Sequence, residues 1–534
     1  MVSSDLSGNT VLYSTLRTAD TISTWVRHHS SERPDSVAIV CGDQETSYGE
    51  LWETVNATAA GLVSEGIGPG DIVAIQLPNS VEFLVAYLAI CRIGAIVQML
   101  HMPYRQRELR YLLTDSGARA AICLGEFKDY KPSEWFREIR DTELKELSII
   151  VVGNPDHDMC SFSELLTSNE PLLVDPPTAD TNFVLLYTSG TTSDPKGVMH
   201  RYEGFLGNAA VAASELEFGT HSRTLCLAAY THLYGLFTVN LSLSVGATLV
   251  VMPAFDPDIF QKCLSDHKPT AIFAAPAHFA GAIESGELRK EVFESAELVC
   301  LSGSAVPEPL AREVEDLLDD GVVIQLWGMT ELQAGSYGRP SDSPDLRLTS
   351  AGKPSPGTEF RVVNDDNRPV STGEEGHLQV RGPSVFEEYL NKPDETQLAF
   401  EDDGWFLTGD LAVLGNDEAL RITGRAKEII NRGGVKYNPL EVEEVLSGYV
   451  EIAQCAIAPV RDQVLGEIAC IYVVTAAGTE VTLEKVCDYL ANSGIAKYKW
   501  PERLKVINEM PMTPTNKVAR ARLESATIDK SECG

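Results

Sequence analysis

The sequence lacks any apolar run of the ~18 residues that a membrane-spanning helix requires, and it lacks a C-x-x-C pair. The first absence predicts no integral membrane association. The 11 cysteines are scattered singly, which favours free thiols in a reducing compartment over disulfides or a zinc site. The first ten residues are polar and unlike a signal peptide. We therefore expect a cytoplasmic protein.

Positive charge is also scarce. The sequence has 43 lysines and arginines against 77 aspartates and glutamates, a formal net charge of -34. Most of this surface would repel a phosphate backbone, so we exclude nucleic acid as a partner. An anionic ligand would need a local positive charge. The chain has no internal repeat or low-complexity segment, and its 534 residues are too many for one core, which predicts two or more domains.

Short apolar runs alternate with helix-like segments along most of the chain. One predicted helix spans residues 47–62, where Ser47 and Glu50 are spaced as a capping box, and another spans residues 79–93. The alternation predicts βαβ units and a mostly parallel sheet. The predicted strands cover residues 37–40, 71–77, 95–100, 120–124, 147–152, 184–187, 225–229, 247–252, 271–274, 297–301 and 322–326.

The texture changes after residue 352. Short strands and Gly/Pro turns over residues 352–420 predict a small β-subdomain. Residues 437–534 carry strand and helix patterns of their own and predict a separate small α/β domain. The fold class that follows is α/β, with a large N-terminal domain, a small β-subdomain and a small C-terminal domain.

Residues 184–200 hold the densest cluster of chemically useful side chains. The predicted buried strand leads into hydroxylated and glycine residues and then into Asp-Pro-Lys-Gly. Glycine allows close backbone approach, the hydroxyl and N–H groups donate hydrogen bonds, and Lys196 adds positive charge, which favours phosphate binding over an ordinary surface turn. The spacing is not that of the common P-loop. The candidate phosphate-binding residues are Thr188, Ser189, Gly190, Thr191, Thr192 and Lys196.

Residues 188–197 resemble the T-S-G-T-T-G-x-P-K-G signature of the adenylate-forming (ANL) superfamily, with Ser193 at a usual glycine. That superfamily contains acyl- and aryl-CoA ligases, luciferases and peptide-synthetase adenylation domains. Six further stretches match in the expected order: residues 230–236, 301–307, 325–331, 405–410, 423–443 and 512–520. The order of the motifs, more than any one of them, carries the resemblance to the superfamily, and within it the chain looks most like the acyl- and aryl-CoA ligase branch.

The resemblance implies roles for single residues. Thr330 would bind the α-phosphate and Glu331 would hold Mg²⁺, a cation that prefers hard oxygen ligands. From the residues alone, the Gly-x-Thr-Glu after the strand is also compatible with a helix N-cap, which does not exclude the family role. Asp410 taken alone would be interpreted as a turn aspartate. The nucleotide site implied by the family also includes Gly303, Ser304 and Ala305 on the adenine, Gln325, Trp327 (usually tyrosine), Gly328, Asp410 on the ribose, Arg425 and Lys517.

The remaining implied sites concern the acid, the thiol and catalysis. Lys517 matches the catalytic lysine of adenylation, with Asn516 at a usual glycine, and Thr330, Glu331 and His232 complete the catalytic set. Gly433 and Gly434 lie where coenzyme A ligases admit the pantetheine arm, and Lys427 matches the hinge residue. The implied acid pocket comprises His232, Tyr234, Gly303, Gly328, Met329 and Gln333. Alone, His232 would be interpreted as an ordinary core or surface histidine.

This resemblance predicts an N-terminal domain at residues 1–424, a hinge at 425–430 and a mobile C-terminal lid at 431–534. It implies an AMP-forming ligase that uses ATP, Mg²⁺ and coenzyme A or the phosphopantetheine of a carrier protein. Residues 228–236 contain no carboxylate to bind an amino group, which favours an apolar small-molecule acid, whether aromatic, alicyclic or medium-chain.

Three alternatives stay open. The first is a ligase that loads an acidic carrier protein, which the basic residues of 425–436 would suit. The second is a luciferase-like oxygenase. The third is a nucleotide-binding protein without turnover, against which Lys517, Glu331 and Asp410 argue.

Overall fold

The computed structural model describes residues 21–128, 130–168, 172–188, 195–284, 288–432, 435–462, 465–513 and 518–525. The contacts within the chain divide it into two compact units. The first contains residues 21–188, 195–359 and 381–401, and the second contains residues 360–380 and those from 402 onward. The four-stranded sheet of the second unit thus groups with the C-terminal residues. The boundary at residue 424 and the hinge at 425–430 stay predictions.

The first unit is built from two large sheets and the helices that cover them. Its helices are α1 (Ile22–Glu32), α2 (Tyr48–Ser64), α3 (Val81–Arg92), α4 (Gln106–Ser116), α5 (Pro132–Thr142), α6 (Phe162–Leu165), α7 (Tyr202–Glu215), α8 (Leu233–Val245), α9 (Pro257–His267), α10 (Pro276–Glu284), α11 (Glu308–Asp316), α12 (Pro344–Thr349) and α13 (Pro393–Leu398), with a 3-10 turn at Lys290–Phe293.

Its strands are β1 (Val37–Cys41), β2 (Gln44–Ser47), β3 (Ile72–Gln76), β4 (Ile96–Met99), β5 (Ala120–Leu124), β6 (Ser148–Val152), β7 (Cys160–Ser161), β8 (Asn182–Thr188), β9 (Lys196–Arg201), β10 (Arg223–Cys226), β11 (Thr248–Val251), β12 (Ala271–Ala274), β13 (Leu298–Leu301), β14 (Val322–Met329), β15 (Gln333–Tyr337) and β16 (Lys353–Pro354). One sheet has the order β7-β6-β5-β3-β4-β8-β9 and the other β16-β15-β14-β13-β12-β10-β11-β1-β2.

Both sheets are parallel in their interiors and antiparallel at edges. The pairs β8/β9, β14/β15, β15/β16 and β1/β2 are antiparallel. The predicted α/β class and the parallel arrangement are confirmed, although the strands form two sheets. Continuous apolar strands suit sheets that are covered on both faces. One hydrophobic cluster includes residues of α1, α2, α3, α7 and α8 together with strands of both sheets, so these helices form a layer between the sheets.

The second unit contains two smaller sheets. Its strands are β17 (Glu359–Val363), β18 (Glu375–Arg381), β19 (Phe406–Leu414), β20 (Leu420–Arg425), β21 (Ile430–Arg432), β22 (Val435–Tyr437), β23 (Ile452–Asp462), β24 (Gly466–Thr475) and β25 (Arg503–Val506), and its helices are α14 (Pro439–Leu446), α15 (Leu483–Asn492) and α16 (Arg520–Ser525), with 3-10 turns at Ala426–Glu428 and Lys497–Lys499. The sheets have the orders β17-β18-β19-β20 and β22-β21-β24-β23, and β25 pairs with β24. The small β-subdomain and the α/β C-terminal part are confirmed.

Local sequence accounts for the start of α2. The backbone N–H of Ser47 donates to Glu50 Oε2 at 2.8 Å, and the backbone N–H of Glu50 donates to Ser47 Oγ at 3.2 Å. This is the predicted capping box, which satisfies two backbone donors at a helix N-terminus.

Removing the Ser47 hydroxyl should loosen the start of α2. We expect Ser47→Ala to cost about 1 kcal/mol of helix stability, which corresponds to about fivefold faster amide exchange over residues 48–51 by hydrogen–deuterium exchange. Ser64→Ala is the matched control, because its hydroxyl donates to the Ala60 carbonyl oxygen at the other end of the helix. Equal exchange in both variants would contradict the cap.

Candidate active site

The predicted phosphate loop connects the two strands of a β-hairpin. Thr188 ends β8 and Lys196 begins β9, and the two residues pair directly across the antiparallel ladder. Residues 189–194, which include Ser189, Gly190, Thr191 and Thr192, lie outside the described residues. The Lys196 ammonium is 2.6 Å from Glu395 Oε2 and 4.8 Å from the centre of the Tyr389 ring. The hairpin therefore presents its lysine together with a carboxylate and an aromatic face.

A second hairpin carries Thr330 and Glu331. β14 continues to Met329 and turns back into β15, with Met329 opposite Gln333. The predicted strand end at residue 326 is thus too early, and the alternative of a helix N-cap is wrong, because the chain reverses within the sheet. A positive φ of 66° at Gln333 makes this turn possible. Gly328 is required because a Cβ there would lie 1.9 Å from the Gln333 carbonyl oxygen.

Buried partners hold the Thr330–Glu331 turn. The Thr330 carbonyl oxygen accepts a hydrogen bond from His200 Nε2 at 2.7 Å, and the Glu331 carbonyl oxygen accepts one from Phe386 N at 2.7 Å. Burial lowers the pKa of His200 to about 4, so the ring is neutral at pH 7 with its proton on Nε2. The buried Glu331 carboxylate accepts a hydrogen bond from the Tyr389 hydroxyl at 3.0 Å. Both the backbone and the carboxylate of this turn are preorganised.

The small residues after β13 lie beside this hairpin. Leu301 pairs with Gln325 in the parallel ladder β13/β14, and the segment that follows includes Gly303 with a φ of 96°. Ser304 and Ala305 are exposed, and the ring of Trp327 packs on Gly335, where a Cβ would come within 2.4 Å of it. These small residues suit a slot for a flat ring.

Two of the predicted site residues are engaged in the protein interior. The Gln325 amide donates to Leu348 O at 2.6 Å, and the Tyr234 hydroxyl donates to Cys300 O at 2.7 Å. Tyr234 is 5% exposed, and burial raises the pKa of its hydroxyl. Both side chains therefore support the strands around the site.

His232 lies at the start of α8 on a tightly held loop. Its Nδ1 accepts the Tyr234 backbone N–H at 3.2 Å, which places the ring proton on Nε2. Asn79, from the loop after β3, donates to Ala228 O at 3.0 Å and accepts the Tyr230 N–H at 2.7 Å. These hydrogen bonds join the loop after β10, in the nine-stranded sheet, to the loop after β3, in the seven-stranded sheet.

A second histidine, His101, lies next to His232. The two ring centres are 6.0 Å apart, and His101 Nδ1 is 3.0 Å from Thr231 Oγ1. Burial lowers the pKa of His101 to about 4. Gln76 donates to the carbonyl oxygens of His101 and Tyr104 and so holds this loop closed.

In the second unit, Asp410 lies within β19 and is 2% exposed. It is therefore not the turn aspartate that its Gly-Asp context also allows. Asp410 Oδ1 is 2.7 Å from Arg425 Nε, and the two residues pair across β19/β20. The structure brings the predicted ribose-contacting aspartate together with Arg425, the other predicted nucleotide-binding residue of this unit.

Besides the phosphate-loop residues, four predicted residues lie wholly or partly outside the described part of the chain. Gly433, Gly434 and Lys517 lie outside the described residues, and the Lys427 side chain does too, although its backbone lies in the turn Ala426–Glu428. Their roles stay predictions.

Sequence interpretation missed Tyr389, Glu395, His200 and His101. Tyr389 and Glu395 lie in Tyr-Leu-Asn-Lys-Pro-Asp-Glu, where nothing local indicates contact with residues far away in the chain. His200 and His101 follow apolar strand residues, which is a weak signal that they are buried. Tyr389 contacts a residue 58 positions earlier in the chain, and Glu395 contacts one 199 positions earlier. Each histidine contacts a residue 130 positions later.

Gly235 allows the His232 loop to pack against α8. A Cβ at Gly235 would lie 2.2 Å from the Ala229 carbonyl oxygen. Overpacking of this kind costs about 1–3 kcal/mol, so Gly235→Ala should lower the melting temperature and shift the NMR signals of His232. Gly281→Ala in α10 is the control, because a Cβ there meets nothing within 4 Å. Equal melting temperatures would disprove the close approach.

Comparison with known proteins adds to this geometry. The chain matches the family model "AMP-binding enzyme" over residues 26–390 and the model "AMP-binding enzyme C-terminal domain" over residues 441–517. It is 31% identical to the salicyl-AMP ligase / salicyl-S-ArCP synthetase of Mycobacterium tuberculosis over 94% of this chain and 89% of that protein. It is 29% identical to the medium-chain fatty-acid–CoA ligase of Escherichia coli over 91% of this chain and 87% of that protein.

A solved structure gives the same result. The o-succinylbenzoate CoA synthetase (MenE) from Bacillus subtilis, in complex with its acyl-adenylate intermediate OSB-AMP, matches with a TM-score of 0.82 and 26% identity. The match covers 94% of this chain and 97% of that one.

No helix among the described residues is both long and apolar enough to cross a bilayer. The chain therefore belongs to the AMP-binding enzyme family, in the acyl- and aryl-CoA ligase branch of the adenylate-forming superfamily, and is an AMP-forming acid–thiol ligase.

Proposed function

We propose that the protein activates an apolar carboxylic acid, aromatic, alicyclic or medium-chain, and transfers it to coenzyme A. The observation that carries this proposal is the preorganised Thr330–Glu331 turn, whose carbonyl oxygens accept hydrogen bonds from His200 and Phe386. Lys196 lies on the hairpin that Tyr389 links to this turn. A buried carboxylate and a nearby ammonium are the groups that a metal-bound triphosphate needs.

The first step makes the acid reactive. One carboxylate oxygen attacks the α-phosphorus of ATP, the bond to the β-phosphate breaks, and acyl-AMP and pyrophosphate form. Lys517 stabilises the negative charge that develops at the α-phosphate, Thr330 binds that phosphate, and Lys196 binds the β- and γ-phosphates. Glu331 fits Mg²⁺, since a cation that phosphates and water also coordinate needs only one or two protein carboxylates. Mg²⁺ would neutralise phosphate charge.

The second step forms the thioester. The sulfur of a thiol attacks the acyl carbon, AMP leaves, and the thiol proton is released. In this proposal Gly433 and Gly434 are the residues at which the pantetheine arm enters, Lys427 is the hinge between the two steps, and Asp410 accepts hydrogen bonds from the ribose hydroxyls of AMP. Asp410 suits this role because it is an oriented, buried carboxylate already paired with Arg425.

The apolar acid is supported by the composition of the loop that carries His232. No Asp or Glu occurs in residues 228–236, and the His232 ring carries its proton on Nε2, which suits a neutral donor to a carboxylate oxygen. Relatives named for salicylate and for medium-chain fatty acids fall in the same class of acid. The relative named salicyl-S-ArCP synthetase supports one second candidate, a ligase that loads a carrier protein.

A panel experiment tests the acid and the thiol together. We expect pyrophosphate release from MgATP with at least one aromatic, alicyclic or medium-chain acid, and we expect it to rise when coenzyme A is added. Release that is indifferent to coenzyme A but rises with a phosphopantetheinylated carrier protein would favour the second candidate. Release with amino acids alone would contradict the apolar pocket, and none with any acid would contradict the proposal.

Measuring adenylation and thioester formation separately tests whether Lys517 acts only in adenylation. We expect Lys517→Ala to reduce acid-dependent pyrophosphate release by at least about 100-fold, the size typical for loss of one electrostatic stabiliser, while supplied acyl-AMP is still converted to thioester. Lys505→Ala, an exposed lysine of β25, is the control. Equal losses in both half-reactions of Lys517→Ala would show that the lysine has no specific part in adenylation.

A further inference from the structure

Residues 389–395, called the strap below, lie against the phosphate hairpin. The backbone N–H of Leu390 donates to the Gly197 carbonyl oxygen at 2.7 Å, and Tyr389 forms a β-bridge with Val198. The Asn391 amide donates to the Asp115 carbonyl oxygen at 2.8 Å, which ties the strap to the end of α4. The strap is therefore held on β9 and α4 by backbone and side-chain hydrogen bonds.

The strap contacts two residues that the proposed function assigns to MgATP. Glu395 pairs with Lys196 at 2.6 Å, and the Tyr389 hydroxyl donates to Glu331 Oε1 at 3.0 Å. The Tyr389 ring also faces the Lys196 ammonium at 4.8 Å. Lys196, the proposed phosphate-binding lysine, thus has a carboxylate as its counterion in this structure.

Glu395 has a second cation within reach. Lys392 Nζ is 3.4 Å from Glu395 Oε1, while Lys196 contacts Oε2. Hydrogen bonding from Lys196 is the largest cause that lowers the pKa of the Glu395 carboxyl, and the charges of Lys196 and Lys392 add to it. Glu395 is therefore ionised at neutral pH and would keep Lys392 as a partner if Lys196 were to bind a phosphate.

We propose that Glu395 is a replaceable counterion of Lys196, which yields the lysine to the triphosphate when ATP binds and recovers it when pyrophosphate leaves. This inference rests on the proposed function and adds to it a residue that sets the affinity for the nucleotide and for the product. Lys196 can neutralise Glu395 or a phosphate, so the two compete. A multiply charged phosphate attracts the lysine more strongly than a single carboxylate does, and repulsion from Glu395 favours release of pyrophosphate.

Glu395→Gln tests the competition directly. Partly exposed ion pairs contribute modestly, so we expect the dissociation constants of both pyrophosphate and the magnesium complex of α,β-methylene-ATP to fall about two- to fivefold, measured by isothermal titration calorimetry. The salt dependence of binding should change as well. Glu387→Gln is the matched control, because it removes the same charge two residues before the strap, where Glu387 pairs with Arg201 at 2.7 Å. It should leave both constants unchanged.

A double-mutant cycle separates competition from a static structural pair. The effect of Glu395→Gln should disappear in a Lys196→Gln background, because the two effects act through one contact. Unchanged or weaker binding in Glu395→Gln, or an effect that persists without Lys196, would overturn the inference. A lower melting temperature without tighter binding would assign Glu395 a structural role and overturn it too.

The two proposals can fail separately. Ligand binding is measured without any acid, so a wild-type protein that binds nucleotide but releases no pyrophosphate contradicts the proposed function while the Glu395 comparison still stands. A wild-type protein that binds neither nucleotide nor pyrophosphate contradicts both.

Discussion

The shared hydrophobic layer between the two large sheets is the constraint on which the first unit depends. Helices α1, α2, α3, α7 and α8 bury residues against strands of both sheets in one continuous cluster. Because packed interiors deform little, this layer sets how the strands of one sheet lie relative to those of the other. The hairpins and loops that carry Lys196, Glu331 and His232 leave this framework directly, so their positions follow from packing far from the chemistry.

The charges around Lys196 differ from the average charge of the chain. The chain carries a formal net charge of -34, yet the phosphate hairpin and the strap place Lys196 and Lys392 around Glu395. Two cations around one carboxylate leave this cluster with a formal charge of about +1, in a chain whose formal net charge is strongly negative. The competition proposed for Glu395 would make selectivity for a polyphosphate depend on one contact and would need no broadly positive surface.

Much of the fold could be predicted from the sequence, because periodicity and capping are local. Most of the predicted strand bounds lie within two residues of those observed, and the Ser47–Glu50 capping box is present. The course of β14 beyond residue 326 could not be predicted, since it depends on a residue other than glycine at positive φ, Gln333. The sequence on either side of residues 330–332 is compatible with a helix as well as with the observed hairpin.

The candidate site was predicted less completely, for a related reason. Family motifs identify residues that meet ligand, whereas Tyr389 and His200 act on other protein groups 58 and 130 residues away. Such pairs have no spacing that a single sequence can show. Likewise, Gln325 and Tyr234 match the predicted site in sequence, but their polar atoms bond to backbone carbonyl oxygens of the core.

The hydrogen bonds of Asn79 have a consequence for how the protein folds. Asn79 belongs to a loop of the seven-stranded sheet, and its partners Ala228 and Tyr230, about 150 residues later, belong to the nine-stranded sheet. Closing so long a stretch of chain costs entropy before the contact can stabilise the structure, so we expect these hydrogen bonds to form late in folding. We therefore expect the loop that carries His232 to acquire its final shape only when the two sheets dock.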